Sequence, residues 1–139
     1  MDIIVRLDDW FADRLQGLQS HPENGLKYNP ETVAYVGGVL KTLAHPHAQD
    51  DLSGKSIVLT YAEARLTGDF ATFQRLGDWI LFSSVVIPES IAIEREAVDS
   101  IGQLSYYACH RIMRESWPVY GELADHLPAI TAAVRLRLM

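Results

Sequence analysis

Hydrophobic residues recur at steps of three and four positions along most of the chain, and this spacing is the period of an α-helix. A strand would instead alternate apolar and polar residues, and we find no clear run of that kind. Proline, glycine and capping residues divide the helical pattern into about seven segments. The sequence therefore predicts an all-α protein, a single-domain helical bundle. Besides the helices discussed next, the predicted segments include 2–18, 89–96, 97–114, 119–126 and a last helix opened by Pro128.

Short polar motifs mark where some of these helices begin and end. Asn29 followed by Pro30 is typical of a helix start, because asparagine caps free N–H groups and proline has no N–H that needs a partner. Gly68 predicts the end of a helix over 56–67, and Asp69 directly after it predicts the cap of the next helix. These two helices, joined by a short turn, are therefore expected to be neighbours.

The most apolar part of the chain is RLGDWILFSSVVIPES, residues 75–90. Drawn as a helix, this segment carries large apolar side chains on most of its faces, and it lacks the alternation expected of a strand. It is also shorter than the roughly 20 apolar residues that cross a bilayer. We therefore predict a helix that is buried at the centre of the domain or in a subunit interface and that ends near Pro88.

Composition and charge narrow the class of protein. The chain has 139 residues, of which 48% are hydrophobic and 22% are charged, which is typical of one globular domain. Its net charge of -6 argues against nucleic acid as a partner, because phosphate backbones attract basic surfaces. The single cysteine, Cys109, excludes an internal disulfide and is typical of a reducing compartment. Without a long apolar segment or a signal-like start, a cytoplasmic protein with no membrane contact is expected.

Three stretches together resemble a group of small helical bacterial proteins. They are LGDWILFSSVVIPESI at 76–91, IGQLSYY at 101–107 and VYGELADHLP at 119–128. Their order and spacing match the pattern of that group over roughly residues 30–135, with Val85 standing where the group has glycine. The resemblance implies an all-helical fold and a bacterial origin. The group has no established activity, so the resemblance implies no catalytic residue.

The most metal-like cluster is a short polar stretch between two predicted helices. It contains His45, His47, Asp50 and Asp51, whose imidazoles and carboxylates are ligand types that Zn²⁺ and Mn²⁺ accept. A structural zinc site usually needs four well-placed ligands, and histidine and aspartate are also ordinary residues of a polar loop. We therefore favour the loop interpretation and expect no cofactor.

Four side chains are weak candidates for catalysis, namely Glu63, Asp78, Tyr106 and His110. A buried Glu63 could act as an acid or base, although such a residue more often pairs with an arginine. Asp78 is expected to form a structural ion pair with Arg75 or Arg111, because an unpaired buried carboxylate is costly. Cys109 and His110 are adjacent in a helix and so point about 100° apart, which favours a core cysteine over a catalytic pair.

Two functions from different classes are compatible with this pattern. The first is a non-enzymatic protein-interaction module that acts as a homodimer, since apolar residues are in excess and symmetric dimers are common. Gly37 and Gly38 would provide a contact point for another helix in that interpretation. The second is a small enzyme or ligand-binding bundle with a pocket between the helices over 56–67, 69–87 and 97–114. Its polar groups would be the four catalytic candidates named above, and at least two of them are expected to converge there.

Overall fold

The computed structural model describes residues 28–43, 57–86, 95–113 and 117–138, and within these ranges the chain is helical without any strand. This confirms the predicted all-α class. The helices predicted over 2–18 and most of 89–96 lie outside the described residues, as does the loop with His45, His47, Asp50 and Asp51. The five described helices are α1 (Pro30–Leu43), α2 (Ile57–Thr67), α3 (Phe70–Val86), α4 (Arg95–Ile112) and α5 (Pro118–Leu138).

The predicted caps are confirmed by their hydrogen bonds. The Asn29 side chain accepts a bond from the backbone N–H of Glu31 at 2.9 Å, and this caps the first turn of α1. Gly68 adopts a positive φ of 65° and donates its N–H to the carbonyl of Ala64 at 2.8 Å, which closes α2. The backbone carbonyl of Asp69 then accepts the first hydrogen bond of α3, from the N–H of Phe73. The chain therefore turns sharply between α2 and α3, which pack against each other.

Helix α3 is the central element of the bundle, as its apolar pattern predicts. It packs against each of the other four described helices. Ile80 and Leu81 are 0% exposed and Phe82 is 2% exposed, although these three consecutive side chains point in different directions around the helix. A helix that is covered on so many sides provides a fixed position for Asp78.

The long helices α4 and α5 form the tightest pair with each other, and the structure corrects two of their predicted boundaries. Helix α4 begins at Arg95 instead of Ala97. The predicted helices over 119–126 and from Pro128 onward are the two parts of α5, which bends at His126. Proline has no N–H to donate to the carbonyl of Ala124, and that carbonyl instead accepts a bond from Nε2 of Gln103 at 2.9 Å.

Glycines allow close contacts between α3, α4 and α5. A Cβ atom built on Gly102 of α4 would lie 2.6 Å from Cδ2 of Leu127 and 2.9 Å from Cγ2 of Ile80. Gly38 of α1 differs, because no described atom lies within 4 Å of a Cβ built there. The close helix contact expected at Gly37 and Gly38 is therefore not found at Gly38 among the described residues.

None of the helices in the described ranges has both the length and the apolar character needed to cross a membrane.

Candidate functional site

The side chain of Asp78 on α3 is held by two tyrosines from neighbouring helices. Tyr35 of α1 donates its hydroxyl proton to Oδ1 of Asp78 at 2.6 Å, and Tyr106 of α4 donates to the same oxygen at 2.7 Å. These short bonds to a carboxylate are of the strong, charge-assisted type. The partners expected from the sequence, Arg75 and Arg111, are both exposed, so the expectation of an ion pair with either is wrong.

Further aromatic residues surround this arrangement and limit its motion. The ring of Tyr35 makes edge contacts with Tyr120 of α5 at 5.5 Å and with Trp117 at 5.9 Å between ring centroids. The Tyr120 hydroxyl accepts a bond from Nε2 of Gln74 at 2.8 Å. Gln74 and Asp78 stand one turn apart on α3. The hydrogen-bonded polar groups therefore lie side by side inside one aromatic shell and form a polar network.

A glycine next to Asp78 makes room for this network. Gly77 lies against the Tyr106 ring, and a Cβ atom built on Gly77 would lie 2.9 Å from Cε1 of that ring. Any larger residue would push the ring away from α3. The absence of a side chain at Gly77 thus lets the Tyr106 hydroxyl reach Asp78, while Tyr106 itself remains 0% exposed.

Burial is the main influence on the ionisation of the network. It raises the pKa of Asp78 to about 6, and the hydrogen bonds from Tyr35 and Tyr106 oppose this rise because they stabilise the charged form. Burial and the neighbouring carboxylate raise the pKa of both tyrosines above 10. At neutral pH the site therefore carries the negative charge of Asp78 and neutral phenols.

A cavity of about 290 Å³ lies beside this network, between α1 and α3. On α1 its lining residues follow one helical face at steps of three, one, three and one positions, and on α3 they stand one turn apart. The lining residues are Tyr35, Gly38, Val39, Thr42, Leu43, Gln74 and Asp78. Asp78 thus belongs both to the buried network and to the wall of a space that a small molecule can occupy.

The structure brings two of the four catalytic candidates together and separates the others. Asp78 and Tyr106 are hydrogen-bonded, whereas Glu63 is exposed on α2. His110 is half-buried against Gly121 of α5, and its Nδ1 has no hydrogen-bond partner among the described residues. The cavity that Asp78 lines is formed by α1 and α3, not by the three helices expected from the sequence.

The described residues provide neither a reactive cysteine nor a cluster of metal ligands. Cys109 is buried, and desolvation with the nearby charge of Asp78 raises the pKa of its thiol to about 12, so the unreactive thiol form is present at neutral pH. No group of three potential metal ligands occurs within the described ranges. The metal hypothesis for His45, His47, Asp50 and Asp51 concerns residues outside those ranges and stays a prediction.

Three residues of the site were not predicted from the sequence, namely Tyr35, Gln74 and Tyr120. Part of the evidence for them is present in the sequence as helical spacing. Gln74 and Asp78 are four residues apart, so they share a face of α3. Tyr35, Gly38 and Thr42 likewise share a face of α1 and include small or polar residues where a core helix would carry large apolar ones. The packing of these two faces against each other is set by the tertiary structure, and the sequence of neither helix indicates it.

Comparisons with known proteins give no match, either to a family model, to a curated protein or to a solved structure. The resemblance to small helical bacterial proteins therefore stays a prediction from the sequence.

Proposed function

We propose that this protein binds a small organic molecule in the cavity between α1 and α3, with Asp78 as the polar anchor. The observation that carries the proposal is a mostly buried carboxylate, hydrogen-bonded by two neutral tyrosines, in the wall of a cavity. Burying a charge without an opposite charge costs free energy, and apolar residues of the same size would fill a core better. A binding role gives this carboxylate a purpose that folding does not.

The rest of the wall fits a ligand site. Val39 and Leu43 offer apolar contact, while Thr42 and Gln74 add a few polar groups, which is the usual mixture in small-molecule sites. The volume is close to the lower end of the range of about 300–1,000 Å³ for such sites. Since one water molecule takes about 30 Å³ of liquid volume, the occupant is a compact molecule with on the order of ten non-hydrogen atoms.

Filling the cavity is expected to abolish binding without harming the fold. In Gly38→Leu the new side chain meets no described atom within 4 Å at its Cβ, and leucine is favoured over glycine in a helix by roughly 0.8 kcal/mol. The measurement is amide NMR of wild type and variant with 2-phenylethylamine, 2-phenylethanol and phenylacetate at concentrations on the order of millimolar. We expect saturable shifts in α1 and α3 of the wild type for at least one probe, and none in the variant.

A matched control for that variant is Ala132→Leu, which adds a leucine at an exposed position on α5 away from the cavity lining. It is expected to bind as the wild type does. The proposal is wrong if none of the three probes produces saturable shifts in the wild type, or if Gly38→Leu binds them unchanged.

A second function, a homodimeric protein-interaction module, is favoured by one separate observation. Helix α2 carries large apolar side chains on part of the surface that faces solvent. Val58, Leu59 and Leu66 are more than half exposed, and they share a stripe about 100° wide with the exposed Ala62. Exposed apolar stripes of this kind often mark an interface, and a second copy of the chain is the occupant we propose.

The dimer is expected to dissociate when a charge is placed in this stripe. Leu66 is 88% exposed, so Leu66→Glu has little effect on the folded monomer, but it would bury an unpaired charge in a dimer. Sedimentation velocity at micromolar concentration should show a dimer for the wild type and a monomer for the variant. Leu136→Glu on α5, where the leucine is 71% exposed, is the control and should stay dimeric. A monomeric wild type would remove this function.

A further inference from the structure

We infer that the cavity between α1 and α3 selects a small organic cation, a primary ammonium group on a short apolar body. This inference rests on the proposed function and names the chemical class of its ligand. Its basis is the charge and the hydrogen-bonding character of the cavity wall.

Among the described residues of the wall the charge is negative, and no basic residue there balances it. Asp78 is the acidic residue of the lining, and none of the described lining residues is a lysine, an arginine or a histidine. The phenols next to the carboxylate stay neutral, since burial raises the pKa of Tyr35, Tyr106 and Tyr120. An anionic ligand would meet an uncompensated negative charge at short range, whereas a cation would neutralise it.

The hydrogen bonds already present leave acceptors for a ligand. Tyr35 and Tyr106 both donate to Oδ1 of Asp78, which leaves Oδ2 of that carboxylate for a donor in the cavity. Gln74 uses its Nε2 to donate to Tyr120, and this orients the amide and leaves its carbonyl Oε1 as an acceptor. The two acceptors stand one turn apart on α3. An ammonium group carries three donors and no acceptor, and it therefore complements this pair.

The remaining contacts suit an apolar body behind the ammonium group. Val39 and Leu43 line the α1 side of the cavity, and Tyr35 adds an aromatic ring that is held in place by its edge contacts. The open space beside Gly38 leaves room at this wall. A fixed anchor with an apolar wall favours a ligand that is charged at one end only.

The test compares three probes of similar size and different charge at pH 7.5 and low salt, namely 2-phenylethylamine as its ammonium ion, 2-phenylethanol and phenylacetate. Dissociation constants come from amide NMR titrations of the wild type and of Asp78→Asn. We expect the wild type to bind the ammonium ion at least tenfold more tightly than the alcohol and not to bind phenylacetate. In Asp78→Asn the ammonium ion should lose this advantage, while the affinity for the alcohol changes less than twofold.

A second measurement needs no variant. The affinity of the wild type for the ammonium probe should fall about tenfold between pH 7.5 and pH 5, because Asp78, with its pKa of about 6, becomes protonated while the probe stays charged. The titratable groups packed around Asp78 are Tyr35, Tyr106, Tyr120 and Cys109, and all of them remain protonated over this range. Binding of 2-phenylethanol should not change with pH.

The outcomes separate this inference from the function on which it rests. If the alcohol or phenylacetate binds as tightly as the ammonium ion and Gly38→Leu removes that binding, the cavity is a ligand site but the cation inference is wrong. The inference is also wrong if Asp78→Asn keeps the tenfold preference. If no probe shifts the wild-type resonances, both the proposed function and the cation inference are wrong.

Discussion

Replacing Asp78 with asparagine is expected to stabilise the folded protein by about 3 kcal/mol at neutral pH. Folding raises the pKa of this carboxyl group from 3.8 to about 6, mainly by desolvation, and each pKa unit corresponds to about 1.4 kcal/mol. Asparagine is similar in shape, and its carbonyl oxygen can accept the same two hydrogen bonds from Tyr35 and Tyr106. The variant keeps the network and removes the buried charge.

The pH dependence of this effect gives the sharper measurement. Between pH 3.8 and about 6 the folded state holds a proton on Asp78 that the unfolded chain has lost, so the free energy of unfolding falls as the pH rises. The wild type should therefore lose about 3 kcal/mol from this group between pH 3.8 and neutrality, a loss that Asp78→Asn does not show. Urea unfolding at pH 4.5, 6 and 7.5 gives both curves.

Asp125→Asn is the matched control, because that aspartate is exposed on α5. Its stability curve should run parallel to that of the wild type across the whole pH range. If instead Asp78→Asn runs parallel to the wild type, the Asp78 carboxyl group is not desolvated in the folded protein. Asp78 would then not be a buried anchor in the cavity wall.

A gain in stability from Asp78→Asn would have a functional meaning. Functional sites are places where natural proteins keep a group that lowers their stability, because that group does something that folding does not need. At this site a cationic ligand would supply the missing countercharge and recover part of the lost free energy. The stability experiment thus measures the cost of burying the Asp78 charge, and the binding experiment measures how well a cation compensates it.

The fold was largely predictable from the sequence because its signals are local. The caps at Asn29 and Asp69 and the glycine stop at Gly68 depend on residues within one turn, and the structure confirms all three. The burial of α3 was predictable for a related reason. A helix with apolar side chains on nearly every face has no stable position except under cover from several neighbours, and Ile80, Leu81 and Phe82 are indeed covered.

The candidate site was only partly predictable because its contacts join distant parts of the chain. Asp78 and Tyr106 were both among the polar groups expected to converge in one pocket, but no local pattern indicates that these two of the four candidates are hydrogen-bonded. Tyr35 lies 43 positions before Asp78 and reaches it only because α1 packs against α3. The expected arginine partner was wrong for a physical reason. Two neutral tyrosine hydroxyls donate hydrogen bonds to the buried carboxylate, while the side chains of Arg75 and Arg111 are exposed to solvent.

Gly102→Val is expected to destabilise the protein by about 3 kcal/mol, because α3, α4 and α5 meet at this glycine. A Cβ atom there would lie 2.6 Å from the flexible end of Leu127 and 2.9 Å from Ile80, whose branched side chain has little freedom to move. Overpacking a filled core costs roughly 1–3 kcal/mol, and valine adds two methyl groups beyond the Cβ. The small helix preference of valine over glycine cannot offset this cost. Urea unfolding at pH 7.5 measures the change.

The same substitution at Gly38 isolates crowding from helix propensity. Gly38 is also inside a helix, but no described atom lies within 4 Å of a Cβ built on it, so Gly38→Val should leave the free energy of unfolding within about 0.5 kcal/mol of the wild type. The difference between the two variants then reports the closeness of α4 to Ile80 and Leu127. Equal effects would show that α3, α4 and α5 do not meet tightly at Gly102. In that case Tyr106, one turn further along α4, would lose the rigid support that directs its hydroxyl to Asp78.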